Sequence, residues 1–468
     1  MENKSKRVLA QVPATKTPIS VLLIYPFFKL KHDRSIFRFP PLGVAYIASA
    51  LKAAGYRADI LDCTFLTRKE ALERARSAGA DIIGIYSMIT MFGDSLELAR
   101  ELKGYTGLLA AGGPLPTTDP GLFLKEFDVV VCGEGESTMV ALARAFEKNI
   151  SLITVPGVAM PGGPDKEARF SGKREPEQNL DALAFPAREL LPNADYMVFG
   201  KKKYGYSITS LMSTRGCPFE CDFCSSAVFG RSYRERSPKN VVDEVEQALA
   251  IGYEHIHFGD DVFTMKKSRL LAVCSEITRR GLKFSWECLG RVDSLDPEMA
   301  LAMKAAGCEK MYFGIESGSG AVLKLMNKKI STQKAREAVE AAKAAGIRTG
   351  AFFILFYPGE TDATVLETIR YALSLPLDYL AFSVPYPIPG TGLYERLKSR
   401  QIGQWKQTDG SVFGHKLTYK SEFSGFKMKF GILKGSASFM LKKIPGIFGK
   451  AALKLFEWPT DAALKLMK

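Results

Sequence analysis

Nowhere does this sequence run for the ~18 consecutive apolar residues that a membrane-spanning helix requires, so no transmembrane segment is expected. Its opening stretch, MENKSKRVLAQVPATKTP, has no apolar core and no small-residue cleavage site. It reads as a flexible tail over residues 1–18 and not as a signal peptide, which points to the cytoplasm. Cysteine is too sparse and too scattered for a disulfide framework in a chain of this length. Of the eight, those at 63, 132, 274, 288 and 308 sit singly in apolar segments, the pattern of buried free thiols. Histidine is almost absent from the first 150 residues, where His32 stands alone.

What is present describes a folded, multidomain chain. Apolar residues make up 46% and charged residues 24%, which excludes a disordered polymer. At 468 residues, two or three domains are expected. The formal charge is +14, and from residue 424 onward nine lysines face only Glu457 and Asp461, a net of +7. Half of the excess therefore lies in the last tenth of the chain.

The first 150 residues repeat a strand-then-helix rhythm five times, with short apolar runs at 20–25, 58–62, 81–87, 108–111 and 129–132. This alternation predicts a doubly wound, Rossmann-like parallel sheet with helices on both faces. Ligands of such sheets sit beyond the carboxyl ends of the strands. Three loops expected there are rich in glycine or hydroxyls: Ser87-Met88-Ile-Thr90, Gly112-Gly113-Pro114 and Gly133-Glu134-Gly135-Glu136. The first turn lacks the GxGxxG fingerprint, which argues against NAD.

Residues 161–203 are rich in proline, glycine and charge, with LAFPAREL as the apolar anchor, and are expected to be a linker. From residue 204 to 400 the rhythm resumes for six units, with strands expected at 207–213, 255–258, 284–288, 311–315, 349–356 and 379–384. Six parallel βα units predict a partial (β/α)6 barrel whose chemistry lies at its carboxyl ends. His255 and His257 alternate on one strand and are expected to pack inside it. Residues 401–468 form a basic extension, helical in stretches that Pro445 and Pro459 are expected to break.

Directly after the first barrel strand comes Arg215-Gly-Cys217-Pro-Phe-Glu-Cys221-Asp-Phe223-Cys224. Three thiolates at Cys-x3-Cys-x2-Cys spacing leave one iron of a four-iron cluster free for a substrate or cofactor. Zinc sites more often show paired Cys-x2-Cys units with four ligands, and no second pair exists here.

On these residues the chain resembles the radical S-adenosylmethionine (SAM) superfamily. The resemblance implies a 4Fe-4S cluster on Cys217, Cys221 and Cys224, with SAM on the open iron. It further implies a 5′-deoxyadenosyl radical that attacks an unactivated carbon. Phe223, Asp260, Asp261, Arg291 and Glu316 stand where that family places groups facing SAM, and Phe356-Tyr-Pro-Gly-Glu360 stands where a turn would close on adenine. Without that cofactor, Asp260, Arg291 and Glu316 read as salt bridges tying loops together.

The order of domains resembles the cobalamin-binding branch of the superfamily, which holds class B methyltransferases and the anaerobic Mg-protoporphyrin ester cyclase, over about residues 20–400. It implies a cobalamin-binding-like domain over 19–160, with Ser87, Met88, Thr90, Gly112, Gly113, Gly133, Glu134 and Gly135 around the cofactor. The Asp-x-His-x-x-Gly motif of other cobalamin proteins is missing, and members of this branch commonly lack it.

The cofactors so implied are a 4Fe-4S cluster, SAM and cobalamin, served by an electron donor such as flavodoxin or ferredoxin. The leading function is methylation of an unactivated carbon. The alternative is oxidative cyclisation or carbon–carbon bond formation with the same cofactors. A methylthiotransferase needs three more cysteines in its first domain, where only Cys63 and Cys132 occur. The tail interleaves lysine with Phe, Leu, Ile and Met, which suits either an anionic membrane surface or a cap on the open barrel. Membrane contact would favour a lipid-like substrate. Nucleic acid is the weaker partner, since the tail from residue 424 carries no arginine for base contacts.

Overall fold

The computed structural model describes residues 18–28, 38–162, 167–225, 228–400 and 419–467. Residues 1–17 of the expected tail, His32, and residues 401–418 of the expected extension lie outside them. The chain forms two compact units, one of residues 1–178 and 182–195, the other of 179–181 and 196–468.

In the first unit, β1 (Ser20–Tyr25), β2 (Arg57–Asp62), β3 (Ile82–Tyr86), β4 (Leu108–Gly112) and β5 (Val129–Val131) pair in parallel in the order β2-β1-β3-β4-β5. Alternate side chains go to two separate cores, as a sheet covered on both faces demands. Val21, Leu23, Ile82, Leu108, Ala110 and Val129 pack on one side with α1 (Leu42–Ala53). Leu22, Ile24, Ile83, Ile85, Leu109 and Val130 pack on the other with α2 (Arg68–Ser77) and α3 (Phe92–Leu102). A short α4 (Pro114–Thr118) follows β4, and α5 (Glu136–Glu147) follows β5 and joins α1 on the first face. The doubly wound prediction is met. The antiparallel pair β6 (Val158–Met160) and β7 (Arg169–Phe170) extends the sheet beyond β5. The LAFPAREL phrase lies against α1, with the Ala187 N–H donating to the Ala45 carbonyl and the Ser49 hydroxyl to the Phe185 carbonyl. Residues expected in the linker also form α6 (Asn193–Tyr204).

The second unit is wound once. Strand β8 (Ile208–Leu211) leads into a small ribbon of β9 (Thr214–Arg215) and β10 (Arg234–Glu235). Then come β11 (His255–Phe258), β12 (Ser285–Gly290), β13 (Cys308–Glu316), β14 (Arg348–Ile354) and β15 (Tyr379–Ser383), all parallel and in chain order with β8 at one edge. Right-handed crossovers between sequential neighbours put the main helices on the same face, so the sheet curls toward a barrel. Those helices are α7 (Pro238–Ile251), α8 (Lys267–Arg279), α9 (Pro297–Ala305), α11 (Thr332–Ala344) and α12 (Asp362–Ser374), while the short α10 (Gly320–Leu325) packs in a separate cluster with Ile354, Tyr357 and Leu393. The first starts where sequence signals say it should: the Ser237 hydroxyl accepts from the Asn240 N–H, with Pro238 at the first helical position.

Only one large core results. Ile256, Phe258, Trp286, Cys288, Met311, Phe313 and Phe353 point outward into it with the helices. The intervening positions face inward, and at the base of the sheet His255, His257, Glu287 and Lys310 make this side polar. Glu287 is the hub of this floor. Its carboxylate lies 3.0 Å from Nδ1 of His257, 3.6 Å from Nε2 of His255 and 3.3 Å from Nζ of Lys310. Burial alone would raise its pKa, but hydrogen bonds from the two histidines and the charge of Lys310 outweigh burial and hold it well below the carboxylate range.

After β15 follow α13 (Gly392–Leu397), α14 (Gly425–Lys442) and α15 (Gly446–Leu466). α14 takes the position of the sixth barrel helix. Cβ atoms at Gly431 and Gly435 would stand 2.5 Å from Phe356 and 2.6 Å from Phe382, so these glycines let the helix lie close on the outer core. α14 and α15 form an antiparallel hairpin: Lys427 Nζ donates to the Met467 carbonyl, and Lys434 pairs with Asp461 at 2.7 Å. Pro445 separates the two helices as expected. Pro459 does not break α15, which continues through it. The Thr460 hydroxyl donates back to the Phe456 and Glu457 carbonyls at 2.6 and 3.1 Å, while the carbonyl that Pro459 leaves without an N–H is that of Leu455, four residues earlier. Among the described residues, no helix is long and apolar enough to cross a membrane.

Candidate active site

The loop bearing Cys217, Cys221 and Cys224 runs between β9 and β10, just past the carboxyl end of β8. Its entry is possible only for glycine. Gly216 has φ 83°, and a Cβ there would stand 2.3 Å from the Ser232 carbonyl oxygen. The loop is then pinned from several sides. The Asp222 N–H donates to the Met326 carbonyl at 2.9 Å, and the Asp222 carbonyl accepts from the Leu393 N–H at 2.9 Å. Asn327 donates to the Glu220 carbonyl at 2.6 Å. The Asp222 carboxylate accepts from the Tyr357 hydroxyl at 2.7 Å and from Arg396.

Burial raises the Cys217 and Cys224 thiols, and the nearby charges of Cys221 and Asp261 add to that rise. Cys224 is solvent-exposed yet ringed by enough protein to be raised in this way. Asp261 is exposed as well, and burial by the surrounding protein, with the charge of Asp260, raises its carboxyl. Among the described residues, no three His, Cys, Asp or Glu side chains close around a point where one metal ion could sit. A lone zinc is therefore a poor fit. A cubane cluster presents its irons at separate corners, so its three cysteines need not converge, and the donor set fits it.

The other predicted residues differ in what they are free to do. Phe223 meets Tyr357 edge-on at 6.4 Å. Arg291 is buried: it chelates Asp293 at 2.9 and 3.1 Å, donates to the Lys328 carbonyl at 2.9 Å, and lies over the Phe219 ring. Its remaining arm reaches Sγ of Cys221 at 3.7 Å. Glu316 ends β13 at a register shift, with φ 70°, and accepts from Lys328 Nζ at 2.9 Å. Such strain concentrates where a side chain must be aimed. Asp260 is different. It is buried, and its two oxygens are taken up by the N–H and hydroxyl of Ser213 and the N–H of Thr214. It ties the end of β8 to the end of β11 and has no oxygen turned to a ligand. The turn 356–360 carries Phe356 at φ 64° and Tyr357, which locks the cysteine loop.

Lys328 escaped sequence reading altogether. It is 7% exposed, bonded to Glu316, and 5.8 Å from the Phe223 ring centroid. Asn327 and Lys329 on either side have φ 49° and 53°, a local strain that MNKK does not announce.

In the first unit the three predicted loops do lie at the carboxyl ends of β3, β4 and β5. Ser87 is fully buried, its hydroxyl 2.9 Å from that of Ser95 and its N–H on the Gly112 carbonyl. It braces the loop from behind. Met88 and Thr90 are half-buried. Gly113 has φ 115°, with the Ser87 carbonyl 2.5 Å from where a Cβ would stand. Gly112 ends β4. Gly133 has open space over its α-carbon, and its N–H donates to the Thr117 hydroxyl at 3.0 Å. Glu134 is half-buried, and its carbonyl accepts from Thr138. At Gly135 a Cβ would stand 2.7 Å from Ile47, so this glycine serves the contact of α5 with α1. Backbone bare of side chains at Gly112 and Gly133 suits a large planar ligand. Tyr25 and Tyr86, 5.4 Å apart at the ends of β1 and β3, are aromatic neighbours that the sequence did not single out. No described residue of this unit is a histidine.

Residues 211–372 match the radical SAM superfamily, and residues 35–143 match the B12 binding domain. An uncharacterized methyltransferase of Pyrococcus horikoshii, PH0819, is 34% identical over 365 residues, covering 76% of this chain and 78% of the relative. The anaerobic magnesium-protoporphyrin IX monomethyl ester cyclase of Cereibacter sphaeroides is 29% identical over 402 residues, 81% of this chain and 64% of the relative. The solved structure of TsrM from Kitasatospora setae, a radical S-adenosylmethionine methyltransferase with cobalamin and a 4Fe-4S cluster bound, superposes with a TM-score of 0.70. It covers 82% of this chain and 75% of that one at 20% identity, a likeness of fold.

This protein is an α/β enzyme that carries a B12-binding domain ahead of a radical SAM domain. It belongs to the cobalamin-dependent radical SAM family, whose cofactors are a 4Fe-4S cluster, SAM and cobalamin.

Proposed function

We propose that the enzyme methylates an unactivated carbon of a lipid-like small molecule. The observation that carries this reading is the three-cysteine loop at the carboxyl end of a singly wound sheet, in a chain whose first unit is of the B12-binding type. When bound, the cluster supplies the electron that cleaves SAM, and cobalamin carries the methyl group.

The chain's own residues hold and orient these groups. Cys217, Cys221 and Cys224 are the ligands of the cluster. Arg291, fixed by Asp293, places a positive charge beside Cys221 and favours added electron density there. Glu316, aimed by its backbone and held by Lys328, would offer a carboxylate to the cationic end of SAM, with Asp261 as a second carboxylate and Phe223 as an apolar contact. Asp260 is a positioning residue that joins two strand ends. Gly112, Gly113, Gly133 and Glu134 line the cobalamin, with Met88 and Thr90 beside it, while Ser87 and Gly135 support those loops from within. The electron donor is of the flavodoxin or ferredoxin kind, and the setting is the cytoplasm.

The test is anaerobic purification from cobalamin-fed cells, with iron, sulfide and cobalt measured per chain. The sample is then incubated with methyl-deuterated SAM, a reductant and a lipid extract. Label appearing on carbon supports the reading. Formation of 5′-deoxyadenosine with an unlabelled, more oxidised product would favour cyclisation, the activity printed for the Cereibacter relative. Four irons without cobalt would remove methyl transfer by cobalamin.

A further inference from the structure

Helix α15 has two apolar sides. One side, Gly449, Leu453, Phe456, Thr460 and Leu464, turns inward, with Gly449 and Leu464 buried and the others half-buried. The other carries Ile447, Phe448, Leu455, Trp458 and Leu466, between 77% and 85% exposed. At 3.6 residues per turn these five fall in one sector about 100° wide. Folding has left them in water, and single exposed leucines are ordinary whereas an aligned row with an aromatic pair is not. α14 adds a second row, Phe426, Leu433 and Met440, spaced seven apart and 66–71% exposed.

The charge around these rows has one sign. Lys450, Lys454 and Lys465 are exposed along one edge of the α15 sector, and Lys429 is exposed on α14. The hairpin's acids are few. Asp461 is spent on Lys434 and Arg370, which leaves Glu457. Two of the tail's lysines, Lys427 and Lys434, are buried in ion pairs with Asp362 and Asp461 and contribute nothing outward.

We infer that this hairpin docks the enzyme on an anionic lipid bilayer, with α15 lying in the interface plane, its Ile447–Leu466 row in the acyl boundary and its lysines at the headgroups. A second copy of the chain is the poorer occupant, because self-pairing of this face would bring lysine against lysine. The inference deepens the lipid-like substrate proposed above but rests on the tail alone, and its test involves no cofactor.

The test is sedimentation of the full chain with vesicles of phosphatidylcholine, alone or mixed with phosphatidylglycerol. Binding is expected to be about 100-fold stronger to the anionic vesicles at low salt, and to weaken as salt rises. Lys450→Glu, Lys454→Glu and Lys465→Glu together should remove that preference. Phe448→Ser with Trp458→Ser should weaken binding to both vesicle types. These side chains are exposed, so an unchanged thermal melt shows that each variant still folds. The inference is overturned if the chain stays in the supernatant with anionic vesicles, or if the variants sediment as the parent does. It is equally overturned if the chain is a dimer that Trp458→Ser converts to a monomer without affecting any lipid binding. Any of these results would leave the enzymatic reading untouched.

Discussion

Arg291 reaches Cys221 with a guanidinium nitrogen 3.7 Å from Sγ, while its plane covers the Phe219 ring at 3.5 Å from the centroid. A residue from the third barrel strand's end thus touches the cysteine loop that follows the first. The fixed cation is expected to make the cluster easier to reduce. Arg291→Gln should lower its midpoint potential by about 30–60 mV, three- to tenfold in a one-electron equilibrium. Redox titration followed by electron paramagnetic resonance measures this, and an unchanged potential at full iron content would show the arginine to be purely structural.

Tyr357 holds the same loop through Asp222. Tyr357→Phe removes that hydrogen bond and leaves Asp222 to Arg396, at a cost of about 1–2 kcal/mol. The reconstituted variant should lose iron to a chelator several times faster than the parent while its far-ultraviolet circular dichroism is unchanged. Equal rates would mean that the backbone bonds to Met326 and Leu393 suffice to hold the loop.

Glu287 gathers two histidines and a lysine inside the barrel. Glu287→Ala would strand those groups in the interior, and removing one partner of a buried ionic network costs about 3–5 kcal/mol. Urea unfolding of the second unit should show it. A loss below about 1 kcal/mol would mean that water takes the place of the carboxylate as partner to these groups.

Glu360 provides a pH dependence with a definite sign. Burial pushes its carboxyl up to about 7 from a model-peptide 4.5, although N–H groups of the turn pull the other way. A folded-state value above the unfolded one gives stability that is complete below about 4.5 and is lost as pH climbs through 7, on the order of 3 kcal/mol in all. Glu360→Gln should therefore flatten the fall in melting temperature between about pH 5 and pH 8. Parallel profiles for parent and variant would assign that fall to another group.

Much of this was legible in the sequence because it is local. Cys217, Cys221 and Cys224 are separated by fixed short intervals, and the eleven principal strands are short apolar runs between turn signals. What was illegible depends on distance or orientation. Lys328 gains its place through left-handed backbone at Asn327 and Lys329 and through its approach to Glu316 from twelve residues away. Asp260 has the residue type and position of a cofactor ligand, yet its direction is set by Ser213 and Thr214, forty-seven and forty-six residues earlier. The pair β6 and β7 is only three and two residues long, too short for a period to register. Pro459 carries a helix-breaking rule that the ties of α15 to α14 override.

The one-sided winding of the second unit has a consequence for how such an enzyme can change. Since the outward residues of β11 to β14 bear the packing, the inward ones are released from structural duty above the Glu287 floor. Tyr312 stacks on Phe352 and Tyr379 meets both edge-on, 5.7–6.3 Å apart, and the three form a lining separate from the framework. A lineage could exchange that lining residue by residue, trying new substrates, while the scaffold that holds the iron and the nucleoside stays as it is.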